Sequence, residues 1–247
     1  MADSTALAMP SAIPPRMNTP QGARIEGLSV VIPALNAAAG LPATLDSLGG
    51  APGEIILVDG GSTDATVALA QAAGARVISA PRGRGGQIAA GVAAAAGPWL
   101  LILHADTRLA PGWPAAVAQA MREPERAAYF RFALDDAAPA ARRLERAVAW
   151  RCHWLGLPYG DQGLLIHRDL LAEVGGMRAL PLMEDVDLVR RLGRRRLRAM
   201  DVPAVTSAAR WQAEGYLRRS ARNLLCLTLW FAGASPERVQ RVYRGRA

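Results

Sequence analysis

Three acidic clusters stand in order along the chain. They are Val58-Asp59-Gly60-Gly61-Ser62-Thr63-Asp64, Leu103-His104-Ala105-Asp106-Thr107 and Met183-Glu184-Asp185-Val186-Asp187. Fixed carboxylates can accept hydrogen bonds from ribose hydroxyls, hold a divalent cation, or take a proton from a reacting hydroxyl. The first two clusters follow apolar runs that read as buried strands, so their carboxylates should emerge at strand ends, where an open α/β sheet binds its ligands. Glycines after Asp59 let a ligand lie close to the backbone. The third cluster opens a helical pattern. Acids there are favoured by the helix dipole, which also favours the ionised form that a general base needs. A basic, glycine-rich segment, Arg82-Gly83-Arg84-Gly85-Gly86, also leads into a helix, and helix-end N–H groups suit a diphosphate.

Strands and helices must alternate to place these groups. Ser29–Pro33, Glu54–Val58, Arg76–Ser79 and Trp99–Leu103 read as strands. Leu41–Leu48, a segment from Thr63 or Asp64 to Ala73, and an alanine-rich stretch to about Ala96 read as helices between them. Either Thr63 or Asp64 can cap the second helix. Repeated strand, loop and helix over 28–110 indicates parallel βαβ units. Beyond them, Tyr129–Leu134, Gly163–His167 and Ala204–Ser207 read as strands. Pro139–Leu155, Asp169–Val174, Glu184–Leu192, Glu214–Phe231 and Ser235–Tyr243 read as helices, the last with Ser235 as N-cap and Pro236 at N1. Residues 1–26 read as a disordered tail, and Met17 is an alternative start. Residues 27–210 read as one domain with halves 27–110 and 111–210, and 211–247 as a helical extension.

Hydrophobic residues make up 51% of the 247 and charged residues 20%, which is the balance of a globular chain. The net charge of +8 comes from arginine alone, because no lysine is present; this excludes a P-loop lysine and any Schiff-base lysine. A basic balance suits a phosphorylated ligand or an anionic lipid surface, and no nucleic-acid motif accompanies it, so nucleic acid is not an expected partner. Two distant cysteines, Cys152 and Cys226, make neither a disulfide framework nor a zinc site, and they point to a reducing cytoplasm. The longest apolar run, Leu224–Ala234, is too short to span a bilayer and contains Thr228 and Gly233. Arg218, Arg219 and Arg222 precede that run, a pattern that fits either packing on the domain or peripheral contact with the inner face of a membrane.

Ser29–Asn36, Ile56–Asp64, the Arg82–Gly86 loop and Leu103–Thr107 together resemble a family-2 glycosyltransferase of the GT-A fold; Tyr159–Gly163 and Leu182–Asp187 resemble its acceptor half. The resemblance covers about 27–245 and is nearest to the subgroup found with radical-SAM and selenium-associated domains. It implies an α/β fold with a Rossmann-like, open, mostly parallel sheet flanked by helices. It implies an inverting, metal-dependent transfer of a sugar from a nucleotide-diphosphate sugar to an acceptor that the sequence does not identify, a lipid-linked or a phosphorylated one being the candidates. Pro33, Leu35, Asn36, Asp59, Arg84, His104 and Asp106 would bind the donor. Asp106, with His104, would hold Mg²⁺ or Mn²⁺. Asp185, with Glu184 as the alternative, would be the general base, and Asp161, Gln162 and Trp211 would line the acceptor pocket. The chain departs from the family pattern at His104, which replaces the first acid of an Asp-X-Asp motif. Two other functions remain open at this level. One is a nucleotidyltransferase, disfavoured because Pro33–Asn36 rather than a glycine-rich motif follows the first strand. The other is a nucleotide-sugar-binding protein without turnover.

Overall fold

Alternating burial along the apolar runs builds a central sheet that is covered on both faces. The computed structural model describes residues 24–245. Most of the expected tail therefore lies outside the described residues, and its last members, Ile25 and Glu26, already belong to the first strand. The first half contains β1 (Ile25–Ala34), α1 (Leu41–Leu48), β2 (Pro52–Asp59), α2 (Thr66–Ala72), β3 (Arg76–Ser79), α3 (Arg84–Ala94) and β4 (Trp99–Ile102). The second half contains β5 (Thr107–Leu109), α4 (Trp113–Ala120), β6 (Ala127–Leu134), α5 (Pro139–Leu155), a 3-10 turn at Gly160–Gln162, β7 (Leu164–His167), α6 (Arg168–Glu173), α7 (Glu184–Leu192) and β8 (Leu197–Thr206). Three helices close the chain: α8 (Ala209–Glu214), α9 (Tyr216–Phe231) and α10 (Pro236–Tyr243).

All eight strands form one sheet in the order β3-β2-β1-β4-β7-β6-β8-β5. β1 to β4 are mutually parallel, β6 and β8 share their direction, and β7 and β5 run the other way. Period two is visible in β1, where Val30 and Ile32 face one core and Val31 the other. The first core is roofed by Leu41, Leu45 and Leu48 of α1, Ala70 of α2 and Trp113 and Val117 of α4. The second is roofed by Val148 and Cys152 of α5, Leu170 and Leu171 of α6, and Val186 and Val189 of α7. α3 comes closest to the sheet at Gly91, where a Cβ would lie 2.4 Å from Val31 Cγ1, so only glycine fits.

The structure corrects several boundaries. The glycine-rich segment is shorter than it reads, because Arg84 already starts α3. The helix expected from Glu214 starts at Tyr216 and ends at Phe231 as expected; Glu214 instead closes the short α8, and Gly215 with φ 83° separates the two. β5 and α4 were not anticipated, and β8 begins seven residues before Ala204. Asp64, not Thr63, supports the start of α2, its Oδ1 accepting the Thr66 N–H at 3.0 Å. Among the described residues, no helix is long and apolar enough to cross a membrane.

Candidate active site

The order of β3-β2-β1 reverses direction at β4, and the crevice at such a reversal is where open α/β sheets take ligands. A cleft of about 720 Å³ lies there. Its walls include Pro33, Leu35 and Asn36 after β1, Arg82 and Arg84 at the start of α3, His104 and Asp106 after β4, and Arg210 and Arg244 from the C-terminal helices. A smaller chamber of about 130 Å³ adjoins it and shares Arg84, His104, Asp106, Ser207 and Arg210 as common wall. Tyr159, Asp161, Asp185 and Trp211 line this inner chamber, together with Arg219, Asn223, Cys226 and Tyr243. Residues on both sides of position 211 thus build one site.

Local hydrogen bonds fix the outer cleft. The Asn36 N–H donates to Ser62 Oγ at 2.9 Å, and Asn36 Oδ1 accepts the Thr63 N–H at 2.8 Å, so the loops after β1 and β2 are tied together. Beneath them Gln87 Nε2, buried in α3, donates to the carbonyls of Ala34 and Val58 at 2.7 and 2.8 Å. The sequence reading missed Gln87, because a lone glutamine in an alanine-rich helix carries no signal. Asp59 does not line either chamber. It is 7% exposed, and its carboxylate accepts the N–H groups of Gly61 and Ser62 at 3.1 Å, shaping the loop that follows β2.

The inner chamber joins His104 to Asp185 through Gly160. A Cβ at 160 would lie 2.5 Å from His104 Nε2 and 3.3 Å from Asp185 Oδ2. The Gly160 N–H donates to Asp185 Oδ2 at 2.7 Å, and Asp185 Oδ1 accepts the Val186 N–H at 2.8 Å. Burial and then the Arg84 charge depress the His104 pKa to about 4, with Asp106 and Asp185 opposing the shift. The imidazole is therefore neutral at physiological pH and keeps one nitrogen lone pair free. Burial raises the Asp161 carboxyl to about 6, and Asp185 and Asp106 add to the shift while Arg151 and Arg84 oppose it. Its Oδ1 is buried without a hydrogen-bond partner, so its acceptor capacity is unused within the protein.

Two more expected site residues face elsewhere. Gln162 is buried: its Nε2 donates to the Phe130 carbonyl at 3.0 Å, and its Oε1 accepts from the Tyr159 N–H at 3.3 Å. It holds the 160–162 turn from below instead of lining the pocket. Glu184 is 1% exposed and ion-paired with Arg84 Nε. Burial raises its pKa against the opposing pull of Arg84, and it does not line the chamber. Asp187 turns to Arg178 and Arg191, at 2.9 and 2.8 Å. Trp154 is 57% exposed and lines neither chamber. Tyr159 does, but Arg151 covers its ring at 3.4 Å.

Among the described residues, only Asn36 and Met183 hold positive φ without being glycine, at 51° and 65°. Asn36 lines the outer cleft and Met183 the inner chamber. Such backbone costs about 1–3 kcal/mol and gathers at functional sites. As for a metal, no group of three or more His, Cys, Asp or Glu side chains converges among the described residues. Asp106 with neutral His104 offers two donors facing both chambers. That set fits a hard cation that retains waters and takes its remaining ligands from substrate phosphates.

Comparison with known proteins follows this geometry. Solved structures of like fold include S. aureus TarS, with TM-score 0.58 and 13% identity, covering 87% of this chain and 69% of that one. Another is glucosyl-3-phosphoglycerate synthase from Mycobacterium tuberculosis in complex with Mn²⁺ and uridine-diphosphate-glucose, with TM-score 0.55 and 22% identity, covering 84% and 79%. The fold is thus of GT-A type. A PGL/p-HBAD biosynthesis glycosyltransferase of Mycobacterium bovis (strain BCG / Pasteur 1173P2) is 43% identical over 91 residues, 33% of this chain and 36% of that protein. A relative from Mycobacterium tuberculosis (strain ATCC 25618 / H37Rv) matches with the same figures, so the chain spans about a third of the length of these curated relatives. The pattern of Glycosyl transferase family 2 matches residues 29–181, which carry Asp59, Arg84, Asp106 and Asp161 and stop just short of Asp185. With more than half of its length matched, the chain belongs to glycosyl transferase family 2.

Proposed function

We propose that this protein transfers a glycosyl group from a nucleotide-diphosphate sugar to an acceptor hydroxyl with inversion, Asp185 acting as the general base. One observation carries the reading: Asp106 opens onto both chambers, whereas Asp185 opens only onto the inner one. The outer cleft then takes the nucleoside diphosphate between Pro33–Asn36 and Arg84, and the part of Asp59 in donor binding is to hold the loop after β2 beside it. Mg²⁺ or Mn²⁺ on Asp106 and His104 would supply charge neutralisation for the departing diphosphate. A solved protein of this fold with Mn²⁺ and uridine-diphosphate-glucose gives the precedent for that pairing.

The acceptor, lipid-linked or phosphorylated, enters the inner chamber beside Asp161 and Trp211. Its hydroxyl proton passes to the Asp185 carboxylate as the oxygen attacks the anomeric carbon. The bond from that carbon to the diphosphate oxygen breaks, and the nucleoside diphosphate leaves with the bonding pair. Glu184 acts indirectly, by fixing the Arg84 guanidinium between the chambers. The subgroup found with radical-SAM and selenium-associated domains rests on the sequence motifs alone.

A second reading, nucleotide binding without turnover, is favoured by His104 standing where the family pattern carries an acid. Titrating nucleotide sugars with and without Mn²⁺, then assaying hydrolysis and transfer, separates the two. Metal-dependent binding with turnover is expected. Binding alone would favour the second reading, and absence of any nucleotide binding would overturn both.

A further inference from the structure

α9 has the reverse polarity of an ordinary surface helix. Arg219, 6% exposed, with Asn223 and Cys226, turns inward to the inner chamber. Leu217, Leu224, Leu225 and Phe231 are 88%, 64%, 50% and 45% exposed. Leu217, Ala221, Leu224, Thr228 and Phe231 follow spacings of four and three, so they form one outward stripe along the helix, roughly 21 Å at 1.5 Å per residue. A contiguous apolar surface of this kind marks an interaction site.

α5 shares a core with α9 through Val148, Cys152 and Leu227. On its own exposed side it carries Trp150 and Trp154, 59% and 57% exposed and four residues apart, hence on one face. Exposed arginines accompany both stripes: Arg143 and Arg146 on α5 and Arg218 on α9, none with an ion-pair partner among the described residues. α9 contains no acid. The single acid of α5, Glu145, is committed to Arg142 at 2.6 Å and to the Leu134 N–H at 2.8 Å.

We infer that the outer stripes of α9 and α5 dock on an anionic lipid bilayer. Apolar residues flanked by arginine, with tryptophan among them, match the depth profile of a lipid interface, where helices sink roughly 5–10 Å. A second copy is the poorer occupant, because a two-fold contact of this patch with itself would oppose its arginines without a carboxylate to pair them. The inference deepens the proposed transfer and rests on it: α9 turns Arg219, Asn223 and Cys226 to the inner chamber and its apolar stripe away from it, so an acceptor hydroxyl on a lipid carrier would approach Asp185 from the membrane side.

The test is flotation of the full chain with phosphatidylcholine vesicles, with and without phosphatidylglycerol. Binding is expected to the anionic vesicles, weakening as salt rises. Leu217→Ser/Leu224→Ser/Phe231→Ser and Trp150→Ser/Trp154→Ser should each weaken it by about tenfold or more. Replacing Arg143, Arg146 and Arg218 by Gln should cost about fivefold per residue. These side chains are exposed, but Phe231 also carries Arg190 4.7 Å above its ring, so melting curves should match wild type except for a small drop in the α9 triple variant. Absence of binding, or binding unchanged by either apolar set, overturns the proposal. So does a dimer in light scattering that the α9 serines dissolve, which would assign the face to a second copy. Nucleotide binding is measured on the same samples. A chain that floats without binding nucleotide sugar sinks only the transfer reading, and one that binds nucleotide sugar without floating sinks only the membrane surface.

Discussion

Replacing Asp185 by Asn is the most discriminating change. The two side chains have the same shape, but Asn cannot take a proton, and loss of a positioned base slows a reaction by about 10²–10⁴-fold. The structure adds a second effect. Both carboxylate oxygens accept backbone N–H groups, from Gly160 at 2.7 Å and Val186 at 2.8 Å, and Asn keeps only one acceptor oxygen. One of these donors is left facing an amide NH₂, costing about 1–3 kcal/mol of stability. For a chain of this size that lowers the melting temperature by roughly 2–12 °C. Asp185 is absent from the walls of the outer cleft, so nucleotide affinity should change less than about threefold, below 1 kcal/mol. The assay pairs calorimetric titration of nucleoside diphosphate with turnover measured by nucleotide release, at a temperature where the variant is folded. Transfer within about tenfold of wild type by the folded variant would refute the assignment of the base. A parallel collapse of nucleotide affinity would refute the division into two chambers.

Three further outcomes are expected. Asp106→Asn, which alters the wall common to both chambers, should weaken nucleoside diphosphate binding by about tenfold or more with Mn²⁺ and leave metal-free binding nearly unchanged; calorimetry with and without metal reads the difference. Gly160→Ala should destabilise the fold by about 1–3 kcal/mol in a chemical melt, because the new methyl would meet His104 Nε2 at 2.5 Å. Transfer should fall by about 10²-fold as His104 and Asp185 shift, and a wild-type rate would show that His104 can move without consequence. Burial raises the Asp161 carboxyl to about 6, so the native state holds more protons than the unfolded chain between roughly pH 4 and pH 6. Stability from this group is present at acid pH and is lost as pH rises through 6. Asp161→Asn should therefore melt higher than wild type above pH 6, with the gap closing below pH 4; a gap independent of pH would mean the carboxyl ionises normally.

Much of the fold was legible because its signals are local. Leu41–Leu48, Pro139–Leu155 and Glu184–Leu192 have the helix ends read from their apolar spacing and flanking Gly or Pro. β5 was not legible: three residues carry no periodicity, and Thr107–Leu109 is a strand only because it pairs with Ala204–Thr206, far along the chain. Polarity alone misled at Gln162 and Glu184, which look like pocket residues but are buried under the site, where a carbonyl and a guanidinium satisfy them.

By itself the sequence determined the succession of strands and helices, the strand ends that carry Asp59 and Asp106, the helix start that carries Asp185, and the family. These rest on backbone preferences and apolar periods that operate within a few residues of each other. Only the tertiary structure decided which carboxylates share a chamber, that His104 is neutral against Gly160, and which side of α9 faces inward. An amphipathic pattern states that a helix has two faces. It takes the packed surroundings, here arginine drawn inward to Glu214 at 3.0 Å and leucines left outside, to say which face is which.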